Sequence, residues 1–291
     1  MNSYAVGWRA TAVAWGTAVD WERGEMGQGN NQPLRWYRYE AKYIVSEGQA
    51  AEIQRICVDH LPPDPYASRG SRCEYPIASL YLDSRSRMLL RHTIERRVSR
   101  YKLRLRTYSE RQESWEDQPA FVEIKRKKDG VVHKTRARVT PEMVESVLWE
   151  EASLLNGNGI HDAGTVRNVN EFLQLRSRIG ALPVGGTFYT REAYEGVSAD
   201  RIRITLDRDL HYGLLARPGN GATTTWWPVN PGGVVLEIKF TNSYPFWVAN
   251  MLGRVEVLRR GVCKYVICSR AAGLSVEPTS GSGRHHSSSE T

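Results

Sequence analysis

Five short segments place Lys or Arg, often with Glu, at every second residue of what reads as a β-strand. They are Arg38-Tyr39-Glu40-Ala41-Lys42, Lys102-Leu103-Arg104-Leu105-Arg106, Glu123-Ile124-Lys125, Arg201-Ile202-Arg203-Ile204-Thr205-Leu206-Asp207 and Glu237-Ile238-Lys239. Successive strand side chains point to opposite faces, so each segment has one charged face and one apolar face. One such strand is ordinary. Five of them, spread from Arg38 to Lys239, point to a single charged surface assembled from the whole fold. Many cations with a few carboxylates suit a polyanion bound together with a divalent metal.

Where that surface lies is left open by the pattern alone. In a half-buried sheet the charged face meets water and the apolar face meets the core. Against this, Lys102, Arg104 and Arg106 gain nothing from one another, and like charges across strands are destabilising without an anion or metal to offset them. A barrel of about eight strands would turn the charges into a lumen with room for one small ligand. The net charge of +8 and pI near 9.4 favour an anionic partner: nucleic acid, acidic lipid or a phosphorylated small molecule. Cys57, Cys73, Cys263 and Cys268 have no metal-binding spacing and read as reduced thiols of a cytoplasmic protein. No apolar run approaches the roughly 20 residues that span a bilayer. The mildly apolar stretch from Ala10 to Val19 runs directly into Asp20, Glu22 and Arg23, without a cleavage site for a signal peptide.

Residues 1–34, with Trp8, Trp15 and Trp21, show no sustained period and read as a flexible extension. Residues 273–291 are Ser-, Gly- and His-rich and read as a disordered tail in which His285 and His286 are solvated. Between them, the spacing predicts helices over Gln49–His60, from Thr140-Pro141 onward, over Asn168–Ile179 and over Pro245–Arg260. Strands are expected at Ala78–Asp83, His133–Val139, Thr187–Tyr194, Val234–Phe240 and Lys264–Ser269, with a hairpin turn at Asp129-Gly130. About eight strands joined mostly by hairpin-like turns predict an α+β fold: an antiparallel sheet or barrel with helices packed outside.

In chain order, the landmarks are Arg38-Tyr-Glu-Ala-Lys42-Tyr43, Ser79-Leu-Tyr-Leu-Asp83, Lys102-Leu-Arg104-Leu-Arg106, Phe121-Val-Glu123-Ile-Lys125 and His133-Lys134-Thr-Arg136. They continue with Tyr189-Thr-Arg191-Glu-Ala-Tyr194, Arg201-Ile-Arg203-Ile-Thr-Leu-Asp207, Leu236-Glu237-Ile-Lys239-Phe240 and Lys264-Tyr265. Each is weak alone. Together and in this order, over residues 35–272, they resemble the polyphosphate polymerase domain of the vacuolar transporter chaperone type, within the triphosphate tunnel superfamily.

The resemblance implies an antiparallel eight-stranded β-barrel whose charged lumen binds triphosphate and metal. It implies ATP as phosphate donor, polyphosphate as product and Mn²⁺ or Mg²⁺ as cofactor. On it, Lys42, Arg104, Arg106, Lys125, Lys134, Arg191, Arg203 and Lys264 hold the triphosphate and the growing chain. Lys239 joins this set or pairs with Glu237 beside it. Glu237 carries the metal, with Glu40 and Glu123 as further metal partners or, alternatively, members of ion pairs in the lumen. Tyr189 and Tyr194 read as packing, and His133 as outward-facing. Asp83 either orients a lumen Arg or caps a strand. Arg96, Arg97, Arg100, Arg126, Lys127 and Lys128 read as an outer basic patch that could touch acidic lipid or a separate membrane protein; no nucleic-acid partner is expected. The alternatives are a tunnel triphosphatase, which directs water at the phosphate, and a non-catalytic sensor of polyphosphate or nucleotide.

Overall fold

The structure, a computed structural model, describes residues 19–20, 38–67, 73–108, 120–129, 131–149, 162–196, 202–216, 223–241, 243, 245–257 and 261–274. The expectations for Trp8, Trp15, Trp21, Gly130, Arg201, His285 and His286 lie outside the described residues. The described strands are β1 (Val19–Asp20), β2 (Arg38–Val45), β3 (Glu74–Asp83), β4 (Arg100–Thr107), β5 (Ala120–Lys128), β6 (Val131–Val139), β7 (Leu182–Glu195), β8 (Arg203–Ala216), β9 (Thr223–Pro228) and β10 (Val234–Thr241). The helices are α1 (Glu47–His60), α2 (Met88–Ile94), α3 (Pro141–Trp149), α4 (Ala163–Arg178), α5 (Phe246–Arg254) and α6 (Lys264–Ala271).

Eight long antiparallel strands form one curled sheet in the order β6-β5-β4-β3-β7-β8-β10-β2. The two-residue β1 lies between β2 and β6, antiparallel to one and parallel to the other, and β9 adds to β8 outside this run. The fold is thus α+β, with an antiparallel tunnel wall and most helices outside.

The alternation in the sequence decides which face goes where. Odd positions of β2 (Tyr39, Ala41, Tyr43, Val45) register against even positions of β10 (Phe240, Ile238, Leu236, Val234), and both rows enter one core with α1 and α5. A second outer core packs Leu103, Leu105, Val122, Ile124 and Ala137 against Val144, Val147 and Leu148 of α3 and Val169, Phe172 and Leu173 of α4. Every intervening residue therefore faces inward. A slip of one residue would send the charges into these cores and the leucines into the tunnel, so the register is strongly specified.

Local signals set the helix ends. Ser46 and Gln49 form a reciprocal capping box at the start of α1, and Gln49 Nε2 donates to the Val255 carbonyl at 2.6 Å, tying α1 to the end of α5. Asp162 caps α4 by accepting from the Gly164 and Thr165 amides. The turn between β5 and β6 has Asp129 at φ 50°, a left-handed conformation that Asp tolerates.

One element departs from expectation: Lys264–Ser269 lies in helix α6, not in a strand. The segment meets no partner strand, and its apolar residues instead sit three apart. Tyr265 stacks on Tyr81 with ring centroids 4.2 Å apart, while Cys268 is buried with Tyr75, Ile77, Tyr189, Leu210 and Tyr212. The inner face of β3, β7 and β8 is apolar there, and α6 covers it. The short α2 was not anticipated either. The Asp83 carboxylate caps it, accepting from the Leu89 and Leu90 amides at 2.9 Å and from the Tyr265 hydroxyl at 3.1 Å. Asp83 is therefore a helix cap and not a partner of a lumen Arg.

Candidate active site: a cationic tunnel

The inward rows of β2, β4, β5, β6, β7, β8 and β10 bring the expected residues together. Across β4 and β5 the register sets Lys102 opposite Lys125 and Arg104 opposite Glu123; across β5 and β6 it sets Lys125 opposite Lys134 and Glu123 opposite Arg136. On the other side Glu237 faces Lys42 on β2 and Thr205 on β8, and Arg191 faces Asp207. Among the described residues nine cations and four carboxylates converge, and they sort into three clusters.

The first centres on Glu123, which is fully buried. Its Oε2 lies 2.5 Å from Arg104 and 3.8 Å from Arg106, while Oε1 lies 2.7 Å from Lys134 and 3.4 Å from Arg136. Burial alone would raise the carboxyl, but Arg104, Arg106 and Lys134 outweigh it and hold the group well below the usual carboxylate range. Arg106 also donates to the Ser79 hydroxyl at 3.0 Å, which fixes its guanidinium against β3. Arg136 lies over the Phe121 ring, 3.7 Å from its centroid.

In the second cluster, the Lys42 ammonium sits between two carboxylates, 2.6 Å from Glu40 and 3.2 Å from Glu237. Lys125 lies 3.4 Å from Glu40, and Lys239 lies 2.5 Å from Glu237. Burial pushes Glu40 and Glu237 up, and the Glu237 charge adds to this at Glu40. Lys125, Lys42 and Lys239 win at Glu40, and Lys239, Lys42, Arg191 and Lys264 win at Glu237, so both stay below the usual carboxylate range. Burial likewise works against the Lys42 charge, and Glu237 and Glu40 overcome it and push its pKa up.

The third pairs Asp207 with Arg191 in a two-pronged contact at 2.6 and 2.8 Å and with Lys264, from the first turn of α6, at 2.5 Å. Lys264 also lies 4.5 Å from the centre of the Tyr189 ring. Arg203 shares the inward face but is drawn off by Asp64 at 2.5 Å and the Tyr75 hydroxyl at 3.0 Å.

Two lysines are poised to lose their protons. Burial, reinforced by Arg106 and Arg104 against the pull of Glu123, brings Lys134 down to about 7. Glu40 attracts the Lys125 charge, yet burial and repulsion from Lys42 and Lys239 bring it to about 8 even though its side chain is 36% exposed. Cys263, at the N-cap of α6, receives a hydrogen bond from Lys102 Nζ at 3.1 Å. Burial opposes its ionisation, but the Lys102 charge and a backbone amide bring the thiol down to about 7.

A family profile, the VTC domain, matches residues 37–272. The chain belongs to the VTC domain family. No curated protein matches it. Among solved structures, the VTC domain is similar to an adenylyl cyclase candidate from Hippeastrum reported to have a dominant triphosphatase activity. They share 15% identity and a TM-score of 0.44, over 80% of this chain and 95% of that one. A Pyrococcus horikoshii OT3 protein gives 14% identity and a TM-score of 0.39, over 81% and 99% of the two chains. An adenylate cyclase candidate from Bacillus halodurans gives 13% and 0.39, over 77% and 92%.

Within the VTC domain, Lys42, Arg104, Arg106, Lys125, Lys134, Arg191, Lys239 and Lys264 all enter the tunnel network, with Arg203 at its margin. Sequence reasoning named Arg136, Lys102 and Asp207 only as parts of motifs and missed their place in it. Period two was the available signal: Arg136 follows Lys134 by two, and Asp207 follows Arg203 by four. The six residues read as an outer patch divide. Arg126 pairs with Glu171 of α4 at 2.7 Å on the outside, whereas Arg100 and Lys127 face each other in register and continue the row of Lys102 and Lys125. Among the described residues no helix is long and apolar enough to cross a membrane.

Proposed function

We propose that this VTC domain is a metal-dependent polyphosphate polymerase, which moves the terminal phosphoryl group of ATP onto a polyphosphate chain and releases ADP. The charge ratio in the tunnel carries the reading: among the described residues nine cations face four carboxylates, and every one of the four is already engaged by cations. Such a surplus suits two phosphate chains held close together, a donor and an acceptor that would otherwise repel each other. Hydrolysis involves one chain only and calls for carboxylates free to orient water.

Phosphoryl transfer asks the protein for positioning and charge neutralisation. An oxygen of the acceptor's terminal phosphate forms a bond to the γ-phosphorus. The bond from that phosphorus to the β–γ bridging oxygen breaks, and its electron pair leaves with ADP. Arg104, Arg106 and Arg191 offer planar forks for non-reacting oxygens, while Lys42, Lys125, Lys134, Lys239 and Lys264 supply mobile point charges. Cys263 and Lys102 flank this route.

The residues fit a divalent metal. Glu40 and Glu237 converge on one cation, the Lys42 ammonium, and Mg²⁺ or Mn²⁺ is commonly held by one or two carboxylates with phosphate oxygens and water completing the shell. Among the described residues no group of three or more His, Cys, Asp or Glu side chains forms a complete cage, so phosphate would contribute ligands. Bound there, the metal supplies neutralisation of charge on the transferring group. Glu123, with a cation against each oxygen, serves the arginines and Lys134 instead. The reading places the enzyme in the cytoplasm with ATP, without a nucleic-acid partner, and leaves contact with acidic lipid or a membrane protein to the exposed basic residues.

Purified protein with ATP and Mn²⁺ tests this, with products resolved on a polyphosphate-stained gel and free phosphate assayed in parallel. Polymer with matching ADP, abolished by Glu237→Ala, is the expected result. Free phosphate without polymer would make the protein a triphosphatase. Tight triphosphate binding with neither product would make it a sensor.

A further inference from the structure

Thr205 occupies the middle of β8 on the inward face, between Arg203 and Asp207. Its register partners are Glu237 on β10 and Ala193 on β7. It is 1% exposed, and its hydroxyl has no hydrogen-bond partner. A buried hydroxyl without a partner is costly, and the site would hold Val at no loss of packing if the free protein were all that mattered. Ala193 offers nothing on one side. On the other, residues directly opposite in an antiparallel pair have Cβ atoms about 4.5–5.5 Å apart, so the Glu237 carboxylate needs a change of rotamer to meet the hydroxyl. In the free protein that carboxylate is turned to its lysines: Lys239 lies 2.5 Å from Oε1 and Lys42 lies 3.2 Å from Oε2.

We propose that Thr205 is a positioning residue for Glu237, donating to its carboxylate once a bound phosphate chain draws Lys42 and Lys239 away. The inference rests on the reading of the tunnel as a site for triphosphate with a metal. Both lysines are cations that a polyanion recruits, so ligand binding strips Glu237 of the partners that hold it. A carboxylate left with no orienting hydrogen bond is a poor metal ligand, because groups one shell out fix the rotamer and basicity of the ligand itself. Thr205 is the inward side chain beside Glu237 that has a donor to spare. β-Branching restricts its χ1, so the hydroxyl is held ready at little entropic cost.

The test compares wild type, Thr205→Val and Thr205→Ser. Calorimetric titration uses the β,γ-imido analogue of ATP with and without Mn²⁺, and thermal unfolding is measured without ligand. The expected result is that Thr205→Val unfolds at or above the wild-type temperature. It binds the analogue alone as wild type does, but loses about tenfold or more of the tightening that Mn²⁺ gives, in line with one hydrogen bond to a charged group. Thr205→Ser keeps that tightening. An unchanged Mn²⁺ effect in Thr205→Val, an equal loss in Thr205→Ser, or a Thr205→Val protein that is less stable or fails to fold would each overturn the proposal. The last would show that the hydroxyl serves the free fold. Absence of any Mn²⁺ effect in wild type would instead overturn the metal–triphosphate reading and this proposal with it.

Discussion

Replacing Glu123 with Gln removes one charge and leaves the shape of the side chain almost unchanged. Four cations lie 2.5 to 3.8 Å from its two oxygens. Even with tunnel water screening as strongly as bulk water, each contact is worth about 1–2 kcal/mol and the four together about 5 kcal/mol. The variant no longer has to dehydrate a carboxylate, which returns part of this. It still gathers Arg104, Arg106, Lys134 and Arg136 around a neutral amide. Breaking a buried ion pair from one side costs about 3–5 kcal/mol, and the cations here are partly open to the lumen, so a loss near the lower end, about 3 kcal/mol, is expected. For a domain of this size that lowers the melting temperature by roughly 6–12 °C. The informative arm adds inorganic tripolyphosphate. An anion in the tunnel replaces the missing charge, so the ligand should raise the melting temperature of Glu123→Gln by more than it raises that of wild type. If the variant melts with wild type, or gains no more from tripolyphosphate, Glu123 is not the counter-charge that assembles these four side chains.

Lys134 near 7 and Lys125 near 8 predict proton uptake on binding, because a phosphate beside each ammonium restores its ordinary pKa. Both are depressed in the free tunnel, so uptake is absent at pH 6, reaches about 1–1.5 protons per triphosphate at pH 8, and triphosphate affinity falls as pH rises through that window. Titrations in buffers of different ionisation heat measure this directly, and equal apparent heats at pH 8 would rule it out. Cys263 should react with iodoacetamide at pH 7 well ahead of Cys57 and Cys268, whose thiols burial pushes up to about 12. Tripolyphosphate should slow that reaction by drawing Lys102 away and filling the space. Mass spectrometry showing Cys57 labelled first, or no protection, would contradict this.

The alternation of charged and apolar residues made the tunnel wall legible because a strand has a period of exactly two residues in its facing, whatever its neighbours. Lys102, Arg104 and Arg106 could be placed on one face without knowing what lay across from them. Which way that face pointed was not legible in the residues; it depends on α1, α3, α4 and α5 covering the Leu, Ile and Val rows. The pairings were hidden for the same reason. Glu123 and Lys134 are neighbours only because β5 and β6 fall into one register, and Asp207 meets Lys264 only because α6 folds back inside. The sequence Lys264-Tyr-Val-Ile-Cys-Ser269 has the composition of a strand and became a helix whose Tyr265 and Cys268, three apart, meet an apolar inner surface. Thr205 carried no signal at all: an unpartnered hydroxyl is a property of its surroundings.

The four carboxylates described in the tunnel are resident counter-ions, and under the proposed function the wall would behave as an ion exchanger. An arriving phosphate would not fall into an empty positive well; it would displace a carboxylate, and on its departure the carboxylate would return. Each step is a swap between two anions for the same ammonium or guanidinium, so the net energy of holding any one phosphate is the difference between two similar attractions. A wall of bare cations would grip a long polyanion unit after unit until it could not move. A wall whose cations always have a second partner can let a chain advance by one phosphate at a time, with every contact remade as soon as it is broken.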